Sequence, residues 1–181
     1  MTDTNVADQA STTPQAPSSE PSIAVYPSSR LRPVPGFVFA VPAGWVLGEA
    51  PDALAVVRTP VAVNDFWVNA LVSHDRVAAS IDLEAAAKAT SARIAKESPG
   101  ATVDMERVAR FGDNVAYLRG IQFPAPEGGR ALAQLHGLFL APAAPDAVTH
   151  DVFQVIGTAP VEVMPTFGAV FVALIASFQF T

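Results

Sequence analysis

Seven polar side chains sit inside otherwise apolar runs of this 181-residue sequence: Arg58, Asn69, Arg119, Gln122, Gln134, His136 and Gln154. Guanidinium, amide and imidazole groups placed this way carry hydrogen-bonding capacity that must be met by neighbours or by a bound molecule. Together they could line a small polar cleft. The candidate ligand or partner contacts are Arg58, Trp67, Arg119 and His136. Trp67 joins them because aromatic side chains dominate interface hot spots. Its neighbours Phe66 and Val68, and the position of Trp45 just after a turn, point instead to core packing for both tryptophans.

Other chemistry lacks its spacing. No two of His74, His136 and His150 stand four residues apart on a helix, and there is no cysteine. A zinc site would need acids converging from separate strands. In His74-Asp75 and His150-Asp151 the partners are sequence neighbours in strands, so their side chains point to opposite faces and cannot pair as base and orienting acid. Ser73 diverges from His74 in the same way, and G-x-S-x-G is absent. Asp104 and Glu106 share a strand face beside Arg107 and Arg110, the composition of a solvated edge. Gly128-Gly129 lacks the strand-to-helix spacing and the lysine of a phosphate cradle and reads as a turn. The sequence therefore predicts no catalytic residue, no metal and no cofactor. An enzyme would need His74 or His136 to meet a carboxylate within hydrogen-bond reach.

The elements that must position these residues follow from periodicity. Residues 1–30 are dominated by Ser, Thr and Pro and hold few large apolar residues, so they read as a disordered tail. Residues 31–181 read as one domain. PGFVFAVPAGW gives a strand, the turn Pro42-Ala43-Gly44 and a second strand from Trp45. Residues 54–59 and 66–77 are further strands. A helix follows Ser80 or Asp82, with acids in its first turn, Lys96 in its last and Pro99-Gly100 beyond. Its buried stripe is Leu83, Ala87, Thr90 and Ile94. Strands then cover 103–111, 115–123, 131–141 and 150–159, the first two joined by a hairpin at Gly112-Asp113-Asn114. Pro160 is expected to open the terminal helix.

The uncharged run after Glu162 is long enough to ask whether it spans a membrane. Met164, Phe167, Val170, Phe171 and Leu174 recur at steps of three and four, one face of an amphipathic helix, and Phe178-Gln179-Phe180 alternates as a strand. The tail is therefore expected to close a core, without a membrane span. A net charge of −6, with scattered basic residues, argues against nucleic acid. The polar, acidic N-terminus lacks the features of a signal peptide, which points to the cytoplasm, with secretion or the cell surface as the alternative.

The F-x-F-x-V-P-x-G-W element at 37–45, the mid-chain helix, the hairpin at Gly112-Asp113 and the helix ending in I-A-S-F at 175–178 together resemble the actinobacterial LpqN/LpqT lipoprotein-like family. That family is similar in fold to PsbP and to the Ran-binding Mog-type proteins. The resemblance covers roughly residues 34–181. It implies an α+β fold, an antiparallel sheet of about six to eight strands sandwiched by helices, and a binding or accessory role through contacts with another protein. The sequence departs from the lipoprotein members in having no lipid-acceptor cysteine. The expectation is thus a non-enzymatic binding module, with a small-ligand carrier using the polar strand residues as the alternative.

Overall fold

The structure, a computed structural model, describes residue 27, residues 32–127 and residues 129–181. The expected tail of residues 1–30 lies outside the described residues, Pro27 excepted, as does Gly128 of the expected turn. The alternating runs become β1 (Phe37–Val38), β2 (Val46–Gly48), β3 (Ala55–Arg58), β4 (Asn69–Ala78), β5 (Thr102–Phe111), β6 (Asn114–Phe123), β7 (Leu132–Leu140), β8 (Thr149–Pro160) and β9 (Gln179–Phe180). The helices are α1 (Leu83–Glu97) and α2 (Met164–Ala176). One seven-stranded antiparallel sheet has the order β2-β3-β4-β8-β7-β6-β5. The two strands flanking the Pro42-Ala43-Gly44 turn do not pair with each other. β1 pairs with β9 instead, Phe37 opposite Phe180. Phe37 there lies 5.6 Å from Phe153 and 5.4 Å from Phe178, ring centre to ring centre, and burying those rings outweighs a local hairpin.

Directly opposite residues of an antiparallel pair share a face, and successive residues alternate. One face carries Val57, Val72, Phe139, Phe153 and Val155 and is covered by Phe171, Leu174 and Ile175 of α2. The other carries Leu138 and Val152 and meets Ala86 and Ala87 of α1. Helices cover both faces, so the fold is the α+β sandwich expected.

Asp82 caps α1, its Oδ1 accepting from the Ala85 amide at 2.8 Å. Of the expected stripe only Ala87 is buried, joined by Ala86; Leu83, Thr90 and Ile94 are half-buried. The reason is local: Thr90 and Ile94 stand over a cleft. Pro160 ends β8 rather than opening a helix. It leads into a 3-10 turn, Val161–Val163, and Pro165 takes the first turn of α2, where the missing N–H is no loss. Beyond α2, Phe178 is fully buried and stacks on Phe139 at 4.7 Å, while Gln179 is exposed. Among the described residues no helix is long and apolar enough to cross a membrane. A bulge between Val103 and Met105 overturns one expectation. It sends Asp104 to Gln122 and Glu106 to the α1 side opposite Arg119, so the two carboxylates do not share a face.

Candidate functional site

The strand registers place the polar residues in rows on the α1 face. One row runs Ile156, His136, Arg119 and Glu106 across β8, β7, β6 and β5; the next begins Thr158, Gln134 and Ile121. Arg119 and His136 are therefore direct cross-strand neighbours. Arg119 is only 2% exposed, beneath α1. Its Nη1 donates to the Ala87 carbonyl at 3.1 Å and to Ser91 Oγ. Its Nε has no partner among the described residues, and Glu106, opposite it on β5, is linked to it through Ser91, whose hydroxyl donates to Glu106 at 3.4 Å. Burial pushes the guanidinium below its ordinary value, opposed by Glu106.

His136, 3% exposed, faces the Arg119 Nη2 through Nδ1 at 3.4 Å. A guanidinium can only donate, so Nδ1 accepts and Nε2 carries the proton. That proton is donated to Gln134 Oε1 at 2.8 Å, and Gln134 Nε2 donates to Thr158 at 3.3 Å. Burial, and then the Arg119 charge, push the imidazole from 6.5 to about 3, which keeps it neutral.

His136 and Gln134 open into a cleft of about 550 Å³ between the C-terminal half of α1 and strands β4, β8 and β7. Gln154 lies on its floor, 7% exposed and without a hydrogen-bond partner among the described residues. Thr90, Arg93 and Gln154 also line an adjoining lobe of about 300 Å³. Of the seven polar positions singled out in the sequence, Arg119, Gln134, His136 and Gln154 thus converge. Gln122 bonds Asp104 on the far side of the sheet. Ser91, Arg93 and Asp52, which sequence reasoning passed over, complete the site. A helical wheel would have found Ser91, one turn beyond Ala87.

Arg58 and Trp67 form a second grouping. The guanidinium carbon lies 4.1 Å from the Trp67 ring centre, a cation–π contact. Trp67 is not in the core as its neighbours suggested. It precedes β4, its carbonyl accepts from Asn69 at 2.8 Å, and its side chain is 46% exposed. Val46 lies opposite Arg58 on β2. Leu47 on β2 and Val61 in the loop after β3 are 70% and 67% exposed.

The third grouping was unexpected. Neither His74 nor Asp151 pairs with its sequence neighbour, but they meet each other diagonally across β4 and β8, Nε2 to Oδ1 at 2.9 Å. Arg76 Nε donates to the same oxygen at 2.7 Å. Burial of Asp151 raises its carboxyl, but the hydrogen bonds from His74 and Arg76 outweigh that and hold it below its ordinary value. A histidine thus does meet a carboxylate. The acid, however, is already bound to an arginine, the arrangement of an ion cluster joining two strands.

No family model and no curated protein matches this sequence. Solved structures match it in fold. LpqN of Mycobacterium tuberculosis, described as involved in cell envelope biogenesis, is 17% identical with a TM-score of 0.64 over 81% of this chain and 84% of that one. The cyanobacterial PsbP of Synechocystis sp. PCC 6803 gives 0.57 at 15% identity over 81% and 87%. The Ran-binding protein Mog1p of Saccharomyces cerevisiae gives 0.50 at 12% over 79% and 89%. At these identities the likeness is one of fold: the chain carries an LpqN-like, PsbP-like α+β fold, as the resemblance implied.

Proposed function

We propose that this chain is a non-enzymatic binding module that grips another protein along the β2 edge, with Trp67 and Arg58 as the anchor. The observation that carries this is the exposed Trp67–Arg58 pair among exposed Val46, Leu47 and Val61. Trp and Arg are the residues enriched where interface energy concentrates. The two sheet edges differ in a way that supports the choice. β5 bears Asp104, Glu106, Arg107 and Arg110, which discourage strand addition, whereas β2 is three uncharged exposed residues. The occupant is an extended segment of the partner, with apolar residues for Leu47 and Trp67 and a carboxylate for Arg58. The protein-binding role named for Mog1p agrees with this reading. A cytoplasmic setting is part of the proposal; the envelope role named for LpqN supports the cell surface as the alternative.

A photo-cross-linking residue at position 61, in the native cell, tests it. One discrete adduct is expected, lost on Trp67→Ala and kept on Lys88→Ala, a change on exposed α1 surface. No adduct, or one indifferent to Trp67→Ala, contradicts it. A second reading, carriage of a small ligand in the α1 cleft, is favoured by one observation, the unpartnered amide of Gln154.

A further inference from the structure

We propose that the α1 cleft binds a small zwitterion, a free amino acid or dipeptide. Its ammonium group lies toward Asp52 and Glu97 and its carboxylate toward Arg93, over the floor made by Gln154 and His136. This rests on the second reading above and names its ligand class. Two independent features of the cleft lead to it: one floor side chain without a hydrogen-bond partner among the described residues, and opposite charges on the walls that form no ion pair with them.

The floor comes first. A glutamine amide has two donors and one acceptor, and one left without a protein partner at the floor of a cleft is free to bond what enters it. Gln154 is more than nine-tenths buried, lines both lobes and has no partner among the described residues. Ser73, directly opposite it on β4, lines the same cleft. Beneath the floor the Arg119 guanidinium faces His136, with part of its charge offset by Glu106 across the strand pair.

The walls decide the ligand's charge. Arg93 is the cation; Asp52 and Glu97 are the anions, and none of the three forms an ion pair with a described residue. Arg93 and Glu97 are four apart on α1, yet they stay separate, cation N-terminal to anion, the weaker order for such a pair. The reverse order, Glu84 to Lys88, closes at 3.0 Å on the same helix. A simple anion in this cleft would meet two carboxylates, and a simple cation would meet Arg93 above Arg119. A zwitterion meets one complement at each end. Glu97 stands in the last turn of α1, where the helix dipole also favours a cation. The volume falls within the usual range of small-molecule sites, about 300–1,000 Å³. Asp52 itself has φ of 60°, the left-handed region that suits glycine, in the Pro51-Asp52 turn.

The test is saturation-transfer NMR on the full chain with three matched pools. These are the twenty free L-amino acids with their glycyl dipeptides, the N-acetyl derivatives of all of them, and their C-terminal amides. Binding is expected from the first pool alone, with matched N-acetyl and amide compounds at least tenfold weaker. Gln154→Leu should lose the signal. Asp52→Gly should weaken binding at least tenfold while the urea midpoint stays the same or rises, because glycine relaxes that backbone; the loss is then not misfolding. A ligand that binds equally without its ammonium or carboxylate overturns the zwitterion. No binding from any pool does the same, as does binding that ignores Gln154→Leu. Native mass spectrometry of protein purified from its own cells reads the underlying carriage separately: a bound mass lost on Gln154→Leu leaves carriage standing whatever the pools give, and its absence removes carriage too.

Discussion

His136 is 3% exposed, its Nδ1 facing Arg119 and its Nε2 donating to Gln134. Folded, it stays neutral down to about pH 3; unfolded, it titrates near 6.5. Between those values the unfolded chain binds a proton that the folded chain refuses. Stability from this group is therefore whole above pH 6.5 and falls as the pH drops, by up to about 1.4 kcal/mol per unit. Urea midpoints measured from pH 7 to pH 4 should decline, and His136→Gln should flatten that decline. Parallel curves for the two proteins would mean that His136 is not buried neutral. Asp151 contributes in a separate window, below its ordinary value of 3.8, and in the same direction: a depressed carboxylate loses its stabilisation as acid protonates it. Arg119→Met should raise the His136 titration midpoint seen by NMR. It should still remain below 6.5, because burial is the larger cause and the Arg119 charge the smaller.

The seating of α2 turns on two glycines. Phe171 and Ile175 drop onto the sheet where Gly157 of β8 and Gly137 of β7 leave room; a Cβ at either position would fall inside those side chains. Gly157→Ala is expected to destabilise by about 1–3 kcal/mol, the usual consequence of overpacking a filled core. Chemical denaturation measures it, and a neutral result would mean that α2 does not rest there. Most elements were legible because their signals are local. The cap at Asp82, the hairpin turn at Gly112, where φ is 59°, and the alternation of Phe178, Gln179 and Phe180 each lie within a few residues of what they specify. The pairing of β1 with β9, the bulge at Asp104 and the His74–Asp151 contact were not legible. Each depends on register between strands far apart in sequence, 77 residues in the last case. The cleft was half legible: its floor shows as polar letters in apolar strands, while its walls at Asp52 and Arg93 come from a turn and a helix whose approach no local pattern records.

For the whole molecule, the apolar residues are largely spent on two helix–sheet interfaces, including the C-terminal run that length alone left open to a membrane role. Outside, Val46, Leu47, Val61 and Trp67 are exposed around the short β2 edge, and inside, Arg119, His136, Gln154 and Thr158 are buried polar residues on the sheet face under α1. We assign the first to a protein partner and the second to a small ligand. On this assignment Trp67 serves binding and not folding. That claim is tested by measuring Trp67→Ala twice, once by equilibrium unfolding and once by titration against the partner identified by cross-linking. The expected result is a stability change below about 1 kcal/mol, the scale of an exposed cation–π contact, with at least a tenfold loss of affinity. A fall in stability of several kcal/mol with affinity unchanged would contradict it.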